Sequence, residues 1–394
     1  MVDDQSPSGE SGISGLIETI KQRPGLYGGV AAVVLVAIVA IVILAMGGGD
    51  EDPAAEVAPP PTTTGAGAAP TVTIPDDDTT SDNAPVAGID DGASSAPPVT
   101  RNPLTGVTLD AASSDRVVAV KVDNSTEAGP PIGIQDAELI IETPVEGGLT
   151  RLTAMFFENE PQVVGPVRSV RPVDADLMAP WKPFLVSTGG QSFVNRELVA
   201  AGVELLEEGT EGVFFQQIER RQPYHLVATI PLVVSEAGEG APPVEVLPFG
   251  DTPLGGSTAA SVQIPFSGVA EVEWRYESGD DTYVRRVNGD DYQVFPQYDA
   301  DLTGFATDTV IVMMAAQRSA GYTDPAGADV PTFDVIGFGD LMVFHGGEVM
   351  TGQWLRSAQS DGWVFLDDTG AQFTVPAGKV WLEIVPRFVD VAIQ

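Results

Sequence analysis

Three arginines lie within 21 residues of an otherwise acidic chain: Arg151 in LTRLTAMFF, and Arg168 and Arg171 flanking Ser169 in GPVRSVRP. Guanidinium groups present planar forks of donors that match carboxylate and phosphate oxygens. The stretch after Pro172 reads as a helix start, where free backbone N–H groups and the helix dipole favour an anion in the same sense. Arg168, Ser169 and Arg171 therefore outline an anion site; the alternative is that Asp174, Asp176 or nearby glutamates neutralise them internally. Strand alternation puts Arg151 on the face of Leu149, Thr153, Met155 and Phe157. An arginine there needs a partner, because an unpaired buried charge is very costly. Glu142 and Glu146, across an expected hairpin, are the nearest acids, and an ion pair that merely fixes the fold is the alternative reading. With Asp123 and Asn124 of the string VDN, and His225 of RRQPYHLVAT, these residues make one candidate polar cleft.

Other chemistry can be drawn on the same residues. Asp123, Glu142 and Glu146 could supply an acid and a base for glycoside cleavage, but sequence does not give the carboxyl separation that chemistry requires. His225 with Ser169 or Ser192 and Asp123 would complete a nucleophilic triad, yet no nucleophile-elbow pattern surrounds either serine. The turn STGGQS, residues 187–192, could cradle an anion on its backbone amides or serve as an ordinary strand-to-helix turn.

The elements that must hold these residues follow from the hydrophobic pattern. RVVAVKVDN, from Arg116, reads as a strand buried on both faces. Glu146-Gly147-Gly148 between two β-rich runs signals a hairpin. DADLMAPW and QSFVNRELVAAG read as helices with the strand FLVSTGG between them. From Val262 the pattern is β throughout, with turn chemistry at Asn288-Gly289, Gly346-Gly347 and Asp368-Thr369-Gly370. Trp274, Trp354, Trp363 and Trp381 could stack on sugars or fill a core.

Composition narrows the function. The formal charge is −37, from 56 acidic and 19 basic side chains, which argues against nucleic acid as a partner. Cysteine is absent, which excludes thiolate metal sites, cysteine nucleophiles and a lipidated cysteine, and the two histidines, His225 and His345, have no ligand-like spacing. We expect no metal and no cofactor.

Leu26 to Met46 is an uncharged apolar run of 21 residues, as a helix about 31 Å long against a hydrocarbon core of roughly 30 Å. Lys21 and Arg23 precede it and Asp50, Glu51 and Asp52 follow, so positive charge keeps the N-terminus inside. Residues 47–100 hold ten acidic side chains and no lysine or arginine, the pattern of a disordered tether.

The strings VDN (122–124), ETPVEGGLTRL (142–152) and VGPVRSVRP (164–172), with the pair Gly189-Gly190 and Pro223-Tyr224-His225, resemble the YerB-like family of bacterial extracytoplasmic lipoproteins. The resemblance covers roughly Asn102 to Pro386 and implies an exported, membrane-attached protein with paired domains of unknown function; it brings no catalytic set. The expected class is α+β: a cytoplasmic tail (1–25), one transmembrane helix (26–46), the tether (47–100), a mixed α/β N-terminal ectodomain (101–245), a linker (246–260) and an all-β C-terminal domain, sandwich or open barrel (261–390). The expected function is a binding or scaffolding module at the cell envelope; a hydrolase or transferase acting on cell-wall glycan or peptide is the alternative. Its expected partners are the membrane, through the one transmembrane helix, and an anionic small ligand, a wall fragment or an envelope protein.

Overall fold

A computed structural model describes residues 99–208, 214–238, 245–250 and 254–394. The first half contributes strands β1 (Val118–Asp123), β2 (Leu139–Pro144) and β3 (Thr150–Phe156), helix α1 (Val173–Met178), β4 (Phe184–Ser187), α2 (Ser192–Ala200), β5 (Glu204–Glu207), β6 (Leu226–Thr229) and α3 (Ile230–Ala237). The second half contributes β7 (Ser261–Ser267), β8 (Ala270–Glu277), β9 (Thr282–Val287), β10 (Thr309–Thr323), β11 (Asp329–Asp334), β12 (Gly337–His345), β13 (Glu348–Arg356), β14 (Val364–Asp367) and β15 (Val380–Pro386). The turn Glu146-Gly147-Gly148 joins β2 to β3.

One thirteen-stranded sheet runs through both halves, with the central order β14-β13-β12-β10-β15-β2-β3-β1-β4-β5. The seam is the parallel pair of β2 and β15, in register from Leu139 opposite Val380 to Glu142 opposite Glu383. β1, β2 and β15 are buried along essentially their whole length. That burial is why they read as continuous apolar runs rather than alternating ones: both faces of the sheet are covered. One face, with Ala119, Leu139, Ile141 and Met155, packs on α1, α2 and the residues Val246, Leu247 and Phe249. The other, with Val120, Ile140, Leu152 and Ala154, packs on α3 and on a six-stranded antiparallel sheet that contains β7, β8 and β9.

This corrects the expected fold class. The described chain is mostly β, and the anticipated mixed α/β N-terminal domain followed by a separate all-β sandwich or barrel gives way to layers around a shared sheet. Local pattern identified these strands, but at the seam β2 pairs with β15 from the far end of the chain, and a two-residue period carries no address. The expected transmembrane helix, residues 26–46, and most of the tether lie outside the described residues, among which no helix is long and apolar enough to cross a membrane.

Candidate functional site

β1, β2 and β4 run in one direction and β3 in the opposite one, so the carboxyl ends of the first three and the start of β3 share one edge of the sheet. In open sheets of this kind the strand ends, where loops diverge, are where ligands bind. Asp123 closes β1, Glu146 follows β2, and Arg151 is the second residue of β3. The loop carrying Arg168, Ser169 and Arg171 is threaded across the same edge. The Arg168 N–H donates to Lys121 O at 2.8 Å, and its carbonyl accepts from the Thr188 N–H at 3.1 Å.

The three arginines converge there. Arg171 grips Glu146 with both arms of its fork, Nε to Oε2 at 2.7 Å and Nη2 to Oε1. Arg151 donates from Nη1 to the Ser169 carbonyl at 2.8 Å and reaches Glu146 only at 3.5 Å through Nη2. Arg168 Nε donates to Asp123 Oδ2 at 2.7 Å, while Asp123 Oδ1 accepts from the Ser125 N–H and hydroxyl at 2.8 and 2.5 Å. Behind them Lys121, fully buried, donates to Asp174 at 2.6 Å, and the second oxygen of Asp174 accepts from the Arg171 N–H. Lys121, Arg151, Arg168 and Arg171 thus meet three carboxylates, Asp123, Glu146 and Asp174. One positive charge is left over.

That surplus shows on Arg151, which is only 6% exposed. Burial, followed by the neighbouring charges of Arg171 and Arg168, pushes its pKa down to about 10. Burial works against the Glu146 charge, but the Arg171 hydrogen bond and the charges of both arginines prevail and hold its pKa below the usual carboxylate value.

Glu142 and Asn124 do not join this cluster. In the β2–β3 register Glu142 stands opposite Leu152, so it shares that residue's face and Arg151 takes the other. Its expected pairing with Arg151 is therefore replaced by one with Arg285 of β9, Nη2 to Oε2 at 2.5 Å, and both side chains have no solvent exposure. The Trp381 indole (3.1 Å), the Thr150 hydroxyl (2.6 Å) and the Asn124 amide (3.0 Å) also donate to Glu142. The Tyr292 hydroxyl donates to Asn124 Oδ1 at 2.6 Å. Glu383 lies beside Glu142 and accepts from Trp274 Nε1 at 2.8 Å. The Arg285 guanidinium sits 4.5 Å from the Tyr292 ring centroid and 4.7 Å from that of Trp381.

The triad drawn on Ser169 is not assembled. Its hydroxyl faces Thr188 Oγ1 at 3.3 Å, both Asp123 oxygens are engaged elsewhere, and His225 Nδ1 is buried without a hydrogen-bond partner among the described residues. Trp274, Trp354, Trp363 and Trp381 are all buried and form core. Among the described residues no group of three His, Cys, Asp or Glu could hold a metal. A cavity of about 200 Å³ opens at the opposite end of β1, near Asp115, Arg116 and Glu160, and its walls hold none of the candidate residues.

Sequence reasoning named Asp174 only as an internal partner for the arginines, and missed Lys121, Arg285, Tyr292 and Glu383. A signal existed for some of them: Lys121 in VAVKVD and Glu383 in VWLEIVP are lone charges inside strands buried on both faces, which are almost never found without a partner.

Comparison with known proteins places these features in a family. Residues 104–241 match the N-terminal domain, and residues 262–382 the C-terminal domain, of the family described as "Protein of unknown function (DUF3048)". Over 125 residues the chain is 31% identical to "Putative lipoprotein YerB" of Bacillus subtilis (strain 168); the aligned stretch covers 31% of this chain and 38% of that protein, well under two thirds of its length. The crystal structure of YerB protein from Bacillus subtilis superposes with a TM-score of 0.62 at 22% identity, covering 74% of this chain and 99% of that one, a likeness of fold. With both domains present and in that order, the chain belongs to the DUF3048 family and is a homologue of YerB.

Proposed function

We propose that this protein is a binding module associated with the cell-envelope surface, and that the arginine cluster at the strand ends receives an anionic group. The observation that carries the reading is that four cations meet three carboxylates around buried Arg151, which shares Glu146 with Arg171, in a chain whose formal charge is −37. An anion seated there would supply the missing counter-charge. Arg168 would meet it: its side chain is 21% exposed, and with Nε committed to Asp123 its two terminal nitrogens have no hydrogen-bond partner among the described residues.

Two further facts support binding rather than acid–base chemistry. Asp123 and Glu146 are engaged by guanidinium and serine donors, and Glu142 and Glu383 have no solvent exposure. The envelope setting rests on the lipoprotein designation in YerB's name.

Thermal unfolding of the full chain against inorganic phosphate, small dicarboxylates and sugar acids tests the reading. A ligand at 100 times its dissociation constant adds about 2.7 kcal/mol of stability and raises the midpoint. The rise should vanish in a folded Arg168→Ala variant. If no anion moves the wild-type midpoint, the reading is wrong.

A further inference from the structure

At the end of the sheet away from the arginines, β1 begins and β3 finishes beside the last turn of α3. Val118 and Phe156 stand opposite each other in register there and share one apolar cluster with Ala237 and the partly buried Val234 of α3. The layers do not close over these four side chains, which line a cavity of about 200 Å³. A single water needs only ~10–15 Å³. The space is therefore large enough for an organic molecule, and its floor is apolar.

The rim is acidic. Asp115 and Glu160 both line the cavity and both are exposed. Asp115 accepts from the Ser113 hydroxyl at 2.7 Å, Glu160 has no hydrogen bond or ion pair among the described residues, and neither meets a basic side chain there. Arg116, also on the wall, has its charge taken up: Nη1 reaches Glu204 Oε1 at 3.0 Å, and the guanidinium lies 5.7 Å from the Phe184 ring centroid. α3 adds to the same sign. Its last turn contributes Val234, Ser235 and Ala237 to the wall and holds no basic residue, so no cation of its own meets the negative end of the helix dipole.

Two carboxylates and a helix C-terminus select for positive charge, and the floor selects for an apolar body. A bare metal ion does not use that floor, and among the described residues no group of three His, Cys, Asp or Glu could hold one. We infer that this cavity binds an organic ammonium ion: a protonated amine on a short aliphatic stem, the stem against Val118, Phe156 and Val234 and the ammonium facing Asp115 and Glu160. A free alkylamine and the lysine side chain of a peptide share that chemistry. The site lies at the other end of β1 from the arginine cluster and stands independently of the anion reading.

The test is calorimetric titration of the full chain with methyl-, propyl- and pentylammonium, with pentanoate, and with Nα-acetyl-lysine amide. Affinity should rise about fourfold for each added CH₂ as the stem enters the cavity. Pentanoate, of the same length and opposite charge, should not bind. Because Asp115 and Glu160 are exposed, Asp115→Asn and Glu160→Gln leave the core untouched, and each should weaken pentylammonium binding about three- to fivefold. Arg168→Ala, at the other end of β1, should leave it unchanged. Acetyl-lysine amide binding as tightly as pentylammonium assigns a peptide-borne lysine as the ligand, and weaker binding assigns a free amine. Equal affinity for methyl- and pentylammonium, persisting in the double acid variant, reports only general attraction to a chain of charge −37 and overturns the inference. Pentanoate binding as tightly as pentylammonium overturns it as well.

Discussion

Glu142 and Glu383 stand directly opposite each other on adjacent parallel strands, one from each half of the chain, and neither has any solvent exposure. Two like charges so placed repel. The site resolves this by holding a proton. Burial first, and then the Glu142 charge, push the Glu383 carboxyl well above the ordinary carboxylate range, against the opposing pull of Arg285. One proton and one guanidinium together balance two acids.

The pH dependence follows from that proton. A carboxyl whose folded pKa lies above its unfolded value of 4.5 retains its proton in the folded state after the unfolded chain has lost it. Its stabilising contribution is full below pH 4.5 and is lost as pH rises toward the folded value. Glu383→Gln fixes the neutral form, since its amide can donate to Glu142 and accept from Trp274. We expect the variant to lie within about 1 kcal/mol of wild type at pH 5. At pH 9 it should be the more stable protein. Guanidinium midpoints at the two pH values decide, and an identical slope in both proteins would sink the shared-proton account.

Arg285 is the only guanidinium hydrogen-bonded to that acid pair among the described residues. Burial works against its charge, but Glu142 and Glu383 outweigh it and raise its pKa. Arg285→Met removes the cation and leaves a buried carboxylate unpaired, a loss of about 3–5 kcal/mol. Adding Glu142→Gln to the same chain should recover part of it. Trp274 and Trp381 fluorescence gives the unfolding curve, and a single variant as stable as wild type would show that the cation is dispensable.

Lys121 and Asp174 form the corresponding pair on the opposite face, joining β1 to α1 at 2.6 Å with side chains 0% and 1% exposed. Burial lowers the Lys121 pKa even though Asp174 pulls it upward. Lys121→Met and Asp174→Asn should each destabilise by about 3–5 kcal/mol. The double variant should cost less than their sum, with a coupling of about 0.5–3 kcal/mol in urea unfolding. Strict additivity would mean that the two side chains do not depend on each other.

Gly339 of β12 is required by a close approach. A Cβ there would lie 2.2 Å from the Met314 carbonyl oxygen and 2.6 Å from Trp354 Nε1, whose hydrogen bond to that carbonyl is 3.1 Å. Gly339→Ala must displace a backbone or a buried indole, at a cost of about 1–3 kcal/mol. Gly279, exposed and with nothing within 4 Å of its would-be Cβ, is the control. Its alanine variant should fall within about ±0.5 kcal/mol of wild type. Equal midpoints for both variants would refute the packing argument.

The sequence by itself determined the local units: where strands run, that Glu146-Gly147-Gly148 turns β2 back as β3, and that α1 follows the arginine loop. It also marked charges within a few residues of the same sheet edge, because Asp123, Glu146 and Arg151 are strand-end residues of neighbouring local elements. The tertiary structure decided which face each charge occupies and what lies across from it. Glu142 and Arg151 were separated by register alone: pairing Glu142 with Leu152 instead of Arg151 is a one-residue difference, and one residue reverses the face. Glu142 found Arg285 and Glu383, 143 and 241 positions away, only because β2 and β15 pair in parallel and β9 packs over them. Backbone hydrogen bonding between strands is the same for any sequence, so the local pattern can specify that a strand forms and is buried. Its neighbour is selected by the packing of the whole core.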